Sequence, residues 1–196
     1  MLRADVGALL TELQRDGEAH DAAEPVHARR LLNLERPTAE LLGLLLRAHG
    51  SRRVLEIGTS NGVSALWIAW TLQAVDGRLV SVERDAAKQA QARENLRRAG
   101  LHGMVDLRLG DATEVVRGLE GPFDAVFFDA DRRSAPEQLA LLLPRLAPRA
   151  LLMADNALSH PEEIAAYLAA VDALPGFDHA VVPVGKGLSV AVRRAA

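Results

Sequence analysis

The stretch Val54-Leu55-Glu56-Ile57-Gly58-Thr59-Ser60-Asn61-Gly62-Val63-Ser64 decides the fold that we predict for this chain. Its first four residues form an apolar strand that contains one acid, and two glycines mark the turn that follows. An apolar helix then runs through residues 65–69. Glycine accommodates positive φ and lets a ligand approach the backbone closely. In an open α/β sheet, such a turn lies at the carboxyl edge of a strand, where ligands bind.

Glu56 makes this turn unsuited to a diphosphate. A carboxylate two positions before Gly58 would repel a phosphate but attract an ammonium group. The glycine spacing, G-x-x-x-G, also differs from the G-x-G-x-x-G of dinucleotide sites. The stretch therefore favours S-adenosylmethionine as the ligand. An ordinary strand-to-helix turn with a glycine at each tight position is the alternative.

The composition is that of one globular domain. A chain of 196 residues, of which 49% are hydrophobic, is long enough to bury a core. It has no cysteine, which excludes disulfides and thiolate chemistry, and its net charge of −3 argues against a nucleic-acid partner. Because we find neither a signal-peptide pattern nor an apolar run of membrane-spanning length, we expect a cytoplasmic protein with no membrane partner.

Strand-like and helix-like segments alternate along most of the chain, which is typical of a parallel sheet covered on both faces. Seven strands are predicted, at residues 53–57, 79–83, 105–109, 125–129, 150–154, 179–184 and 188–193. The short connection Gly185-Lys186-Gly187 makes the last two an antiparallel hairpin. We therefore predict an α/β fold with a seven-stranded, mostly parallel sheet, in which one strand is antiparallel.

We predict that residues 1–36 form an N-terminal helical cover or linker and that residues 37–196 form the cofactor-binding core of the same domain. At helical spacing, one apolar stripe near the start of the chain contains Leu2, Val6, Leu9, Leu10 and Leu13. Residues 16–25 are predicted to be a linker, and a second helix is predicted from Pro37 to about Arg47. The N-terminal region is interpreted as a cover over a sheet edge or as a homodimer contact, with substrate binding as the alternative.

Acidic residues also follow the second and third predicted strands. Glu83 can accept hydrogen bonds from both hydroxyls of a ribose, or it can support the dipole of the next helix, a role that Asp85 already fills. Asp111 can reach an adenine amino group or cap the helix predicted from Thr113. With the glycine turn, these acids predict one groove for an adenosine with a charged tail.

Oxygen donors follow the fourth and fifth strands. Asp129 ends one strand, and Asp155 and Asn156 follow the next. Two carboxylates and an amide oxygen suit Mg²⁺, whereas the histidine or cysteine spacing of a zinc site is absent. The alternative is that these residues only cap the helices that follow.

These segments resemble the small cation-dependent O-methyltransferases, the class I group that includes catechol and caffeoyl-CoA O-methyltransferases and many bacterial relatives. The resemblance lies in residues 54–64, residues 123–131 and Asp155-Asn156, and residues 183–188 are similar to the last hairpin of the family. It covers the chain from about residue 30 onward. It implies the Rossmann-like class I methyltransferase fold, S-adenosylmethionine as cofactor, Mg²⁺ or another divalent cation, and a small-molecule hydroxyl acceptor.

By position, the family implies a role for each candidate residue. Glu56 would meet the methionine ammonium, and Ser60 and Ser64 would lie near the methionine carboxylate. The other residues that would border the cofactor are Gly58, Thr59, Gly62, Glu83, Arg84, Asp111, Ala112 and Asp129. The metal ligands would be Asp129, Asp155 and Asn156. Asp129 and Arg132 would be the catalytic residues, in an in-line attack of the acceptor oxygen on the sulfonium methyl.

Two features depart from the family. Family enzymes often carry a lysine as general base three residues after the first metal aspartate, and this chain has Arg132, which stays protonated and cannot take a proton. It would instead stabilise the phenolate electrostatically. The connection from Asn156 to Pro161 is also short, which predicts an open acceptor pocket. His160 within it is either a substitute base or a surface histidine.

Three other functions stay open at this stage. A metal-independent small-molecule methyltransferase would keep its activity after chelation. A non-catalytic S-adenosylmethionine-binding protein would bind the cofactor without turnover, and Arg132 is the sequence feature that favours it. An NAD-dependent oxidoreductase would fit Glu83 but not the glycine spacing or Glu56.

Overall fold

A single seven-stranded sheet organises residues 3–194, the part of the chain that the computed structural model describes; Leu2 of the predicted stripe lies outside it. The strands are β1 (Arg53–Ile57), β2 (Arg78–Glu83), β3 (Val105–Leu109), β4 (Phe123–Phe128), β5 (Leu146–Ala154), β6 (Phe177–Val182) and β7 (Leu188–Arg193). Their order is β3-β2-β1-β4-β5-β7-β6. Strand β7 pairs antiparallel with β5 and β6, and the other pairings are parallel. The predicted mixed sheet with one reversed strand is confirmed.

Helices cover both faces of this sheet. They are α1 (Ala4–Ala23), α2 (Arg36–His49), α3 (Val63–Gln73), α4 (Ala86–Arg98), α5 (Ala112–Gly118), α6 (Ala135–Leu142) and α7 (Pro161–Asp172). Because side chains alternate along a strand, Val54 of β1 packs with the core under α1 to α4, and Leu55 and Ile57 pack with the core under α5 to α7. Glu56 therefore shares the face of Val54.

The predicted linker at residues 16–25 is wrong, because α1 continues through Ala23. Asp16-Gly17 is typical of a turn, but here tertiary contacts stabilise the helix beyond it. A side chain at position 17 would collide with Asn33, so glycine allows Asn33 to pack against α1. Asp21, in the last turns of α1, accepts hydrogen bonds from the backbone amides of Leu31 and Leu32 at 2.6 and 2.8 Å.

The other predicted boundaries differ by only a few residues. Strand β5 begins at Leu146 rather than at residue 150, and β4 ends at Phe128, so that Asp129 stands just beyond it. The second helix begins at Arg36, one residue before the predicted Pro37. Within residues 3–194, no helix is long and apolar enough to cross a membrane.

Candidate active site

The carboxyl ends of β1 to β5 open into one cavity of about 580 Å³. The predicted site residues at its wall are Gly58, Thr59, Ser60, Ser64, Glu83, Arg84, Asp111, Ala112, Asp129, Arg132, Asp155 and Asn156. Glu56 and Gly62 lie behind the wall. The fold thus brings most of the predicted cofactor residues and all three predicted metal ligands to a single cavity.

The turn after β1 is fixed by close packing and by bonds to β2. The backbone amides of Gly58 and Thr59 both donate to the Val82 carbonyl oxygen, at 3.0 and 3.1 Å. Gly58 has φ 106°, and a Cβ there would collide with the carbonyl oxygen of Asp129. Gly62, with φ 91°, begins α3 against Ala92. Its predicted contact with the cofactor stays a prediction.

Glu56 is completely buried beneath this turn. Its Oε2 accepts a hydrogen bond from Ser81 Oγ at 2.5 Å, whereas its Oε1 has no hydrogen-bond partner among residues 3–194. Burial raises the pKa of Glu56 from 4.5 to about 7, against the opposing effect of the nearby Ser64 and Ser81 hydroxyls. Ser64 also lies at the cavity wall, so a hydroxyl that affects the buried carboxylate borders the space where a ligand would sit.

Backbone amides orient the two acids that end β2 and β3. Glu83 accepts from the Ser60 amide at 2.8 Å and from the Asp85 amide at 2.9 Å, one with each carboxylate oxygen. Asp111 accepts from the amides of residues 113 and 114 at 3.0 and 3.2 Å, so the alternative that it caps α5 is confirmed. Its approach to adenine stays a prediction. Asp85 caps α4 in the same way, with bonds from the amides of residues 87 and 88.

Asp129, which is partly buried, and Asp155, which is buried, form a pair of acids just after the ends of β4 and β5. The Asp129 amide donates to the Ile57 carbonyl oxygen at 2.8 Å, and the Asp155 amide donates to the Phe128 carbonyl oxygen at 3.1 Å. Burial raises the pKa of both carboxyls, and the nearby charge of Asp155 raises that of Asp129 further. Within the described chain, Asp155 Oδ1 is buried without a hydrogen-bond partner.

Arg132 spans from Asn156 to helix α7. Its Nη1 donates to Asn156 Oδ1 at 3.2 Å, and its Nη2 and Nε lie 2.8 and 3.0 Å from Glu163 Oε2. Asn156 Nδ2 in turn donates to Ser159 Oγ at 3.1 Å. Ser159 Oγ also lies 2.9 Å from Nδ1 of His160, which lines the same cavity.

Sequence reasoning missed the segment of residues 27–34, which forms another wall of the cavity. Lys88 Nζ donates to the carbonyl oxygens of Ala28 and Arg30, at 3.1 and 2.6 Å, and Ser60 Oγ donates to that of Leu31 at 2.7 Å. The N-terminal region thus contributes to the wall of the cavity, and its predicted role as a cover stays a prediction.

Lys186, in the β6–β7 turn, and Glu163 were missed in the same way. One signal was present in the sequence, since Lys88 and Lys186 are the only lysines and both reach the cavity. Glu163 gave no such signal, because acids are common in the first turn of a helix.

A sequence profile of the O-methyltransferase family matches residues 7–172, which is most of the chain. The chain belongs to this family. The resemblance predicted from the sequence is confirmed.

Two of the proteins that this chain resembles are catechol O-methyltransferases. That of Niastella koreensis is 36% identical over 121 residues, which cover 60% of this chain and 54% of the relative. That of Mycobacterium tuberculosis is 40% identical over 119 residues, which cover 60% of this chain and 53% of the relative. The chain thus spans about half the length of the curated relatives that it matches.

A solved structure extends the similarity over nearly the whole fold. The O-methyltransferase from Bacillus cereus, in complex with SAH, superposes with a TM-score of 0.81 at 26% identity. The superposition covers 95% of this chain and 91% of that one. The fold predicted from the sequence, a Rossmann-like methyltransferase fold, is therefore confirmed.

Proposed function

We propose that this chain transfers a methyl group from S-adenosylmethionine to a hydroxyl oxygen of a small, catechol-like acceptor, with help from a divalent cation. One observation carries the proposal: the glycine turn, Glu83 and the acid pair Asp129–Asp155 converge on a single cavity. The SAH complex of the Bacillus cereus relative supports the donor, and the two catechol O-methyltransferases support the acceptor class.

The donor would lie along the β1–β2 side of the cavity. Glu83, held by two backbone amides, has lone pairs left for ribose hydroxyls. The methionine end would lie over Ser60 and Ser64, where the ammonium would favour the ionised form of Glu56 beneath them. Because the ammonium neutralises a buried carboxylate, donor binding would relieve the unfavourable burial of Glu56.

The reaction is a displacement at carbon. The acceptor oxygen forms a bond to the methyl carbon as the carbon–sulfur bond breaks, which yields a methyl ether and S-adenosylhomocysteine. The hydroxyl proton leaves to water. The walls of the cavity contribute by holding oxygen, carbon and sulfur in line.

The oxygens of Asp129, Asp155 and Asn156 fit a divalent cation. The charge of Asp155 disfavours ionisation of Asp129, and the buried Asp155 Oδ1 lacks a hydrogen-bond partner among residues 3–194. No three His, Cys, Asp or Glu side chains of the described residues come together as a metal-binding group. The proposed ligands are therefore two acids and one amide. A cation bound there would lower the pKa of an acceptor hydroxyl.

Arg132 supplies fixed positive charge beside these oxygens. A guanidinium does not release its proton at ordinary pH, so Arg132 cannot act as a base. It can donate hydrogen bonds to an oxygen that becomes negative, and such charge-assisted bonds are stronger than neutral ones. We assign it the stabilisation of the acceptor oxygen.

A metal-independent reaction is the second candidate, and one contact favours it. Arg132 Nη1 already donates to Asn156 Oδ1, so a cationic side chain occupies one of the three proposed ligand oxygens. In that case the guanidinium alone would stabilise the acceptor anion.

The test is methyl transfer from S-adenosylmethionine to a panel of catechols and monophenols, followed by mass spectrometry of the product, with and without EDTA. Methylation of catechols that EDTA abolishes and Mg²⁺ restores is the expected result. Methylation that persists in EDTA would favour the second candidate. Tight donor binding without any methylated product would contradict both and leave a non-catalytic binding protein.

A further inference from the structure

We propose that Glu163 is a positioning residue for methyl transfer: it holds the Arg132 guanidinium against Asn156 Oδ1, facing the acceptor oxygen. The inference rests on the proposed function. It adds a residue of helix α7 to a site otherwise built from the carboxyl ends of the strands.

The contacts of Arg132 define one orientation of its guanidinium. Two of its nitrogens, Nη2 and Nε, lie within 3.0 Å of the same Glu163 oxygen, and the third points to Asn156. The Arg132 side chain is 21% exposed, and that of Glu163 is 38% exposed. Both residues line the large cavity, so the pair stands at the border between protein and ligand space.

Helix α7 makes Glu163 a rigid support. Glu163 lies in the first turn, where the helix dipole favours a negative charge. The next residue, Ile164, and Tyr167 one turn later are fully buried in the core, which fixes the backbone beneath the carboxylate. Glu162, its exposed neighbour, lies outside the cavity lining.

Other charged groups surround Arg132, and they explain why it needs a support. Asp129 and Asp131 precede it in its own loop, Asp155 ends β5, and Lys186 faces the acids from the β6–β7 turn. Within residues 3–194, Glu163 is the acid to which the guanidinium is bonded. Without it, a long and flexible arginine would turn toward these other acids, and a small displacement from the reacting oxygen costs much of the rate.

The first experiment compares Glu163→Gln with Glu162→Gln, which removes the same charge from the same helix turn. We expect Glu163→Gln to lower kcat about tenfold or more. We expect the KM for S-adenosylmethionine to change less than about twofold, since the donor lies on the other side of the cavity. Glu162→Gln should keep the activity of the unmodified chain, and Glu163→Asp should recover part of it.

A second readout does not depend on turnover. 4-Nitrocatechol absorbs differently as neutral phenol and as anion, so its spectrum reports how strongly the site stabilises the negative oxygen. It is bound to the protein at pH 6 with S-adenosylhomocysteine in place of the donor and EDTA present, so that a metal makes no contribution. We expect a smaller anionic fraction on Glu163→Gln than on the unmodified chain or on Glu162→Gln.

A double-mutant cycle with Arg132→Ala separates positioning from general structural support. If Glu163 acts through Arg132, the change Glu163→Gln has little further effect once Arg132 is removed. The inference is overturned if Glu163→Gln matches Glu162→Gln in kcat and in the nitrocatechol spectrum, or if its effect persists undiminished in Arg132→Ala. Failure of the proposed function is a separate outcome, in which the unmodified chain methylates none of the acceptors. The spectrum of bound 4-nitrocatechol still tests the Glu163–Arg132 pair in that case.

Discussion

Glu56 couples the stability of the protein to its proposed ligand. Burial raises its pKa from 4.5 to about 7, so the neutral carboxyl is favoured in the folded state. Its contribution to stability is fully present below pH 4.5 and is lost as the pH rises through about 7. At 1.4 kcal/mol per unit of pKa, the loss is about 3 kcal/mol.

We predict that Glu56→Gln removes this pH dependence and also weakens donor binding. Between pH 5 and pH 8, the unmodified chain should lose up to about 3 kcal/mol of unfolding free energy relative to the variant. Urea unfolding at both pH values measures this difference, and calorimetry measures the affinity for S-adenosylmethionine. Parallel pH profiles would show that the carboxyl is not perturbed, and an unchanged dissociation constant would show that it does not face the ammonium.

Asp155 distinguishes metal binding from donor binding, because it belongs to the proposed ligands but not to the predicted cofactor residues. Asp155→Asn keeps the shape and removes one charge from the pair. We predict that stimulation by Mg²⁺ falls about 100-fold or more, while the affinity for S-adenosylmethionine stays within about threefold. Rates across a Mg²⁺ titration, with calorimetry for the donor, provide the measurement. Full Mg²⁺ stimulation in the variant would refute the metal assignment.

At the scale of elements, the segment of residues 27–34 depends on α1 for its position. The Asp21 carboxylate accepts hydrogen bonds from the backbone amides of Leu31 and Leu32, and these bonds hold the cavity wall to the end of α1. Hydrogen bonds to a charged acceptor contribute about 1.5–3 kcal/mol each. The wall should therefore loosen when this carboxylate is removed.

We predict that Asp21→Ala speeds amide exchange in this segment about tenfold or more without affecting the strands. Asp16→Ala is the matched control on the same helix, since Asp16 pairs with the adjacent Arg15 at the exposed surface. Hydrogen exchange followed by mass spectrometry measures both variants. Equal exchange in the two variants would mean that other contacts hold the wall.

The elements also show what the sequence could and could not predict. An apolar run leads into a glycine turn at β1, and an acid or amide lies at or just after the end of each of β2 to β5. These signals are local, so the sheet and most of its edge were predictable. The extension of α1 past Asp16-Gly17 was not, because it depends on Asn33 and Asp21 contacts that are distant in sequence. Tertiary contacts there override a local turn signal.

At the scale of the whole molecule, the site follows from topology. Parallel strands bring their carboxyl ends to one edge, which is why residues at the ends of five strands share a cavity. The same reasoning could not predict how deep each residue lies. It did not predict that Glu56 is fully buried, and it gave Arg132 no partner on α7; the contact of Glu56 with the methionine ammonium stays a prediction. The burial of Glu56 and the partner of Arg132 both depend on packing between elements, which local sequence patterns do not encode. The homodimer contact stays a prediction.

The central claim is that the cavity binds S-adenosylmethionine, and calorimetric titration of that donor into the purified protein tests it most directly, with NAD as the control ligand. We predict saturable binding of the donor with a dissociation constant in the micromolar range and no heat with NAD. Preferential binding of NAD, or no heat with the donor from a protein shown to be folded, would contradict the claim.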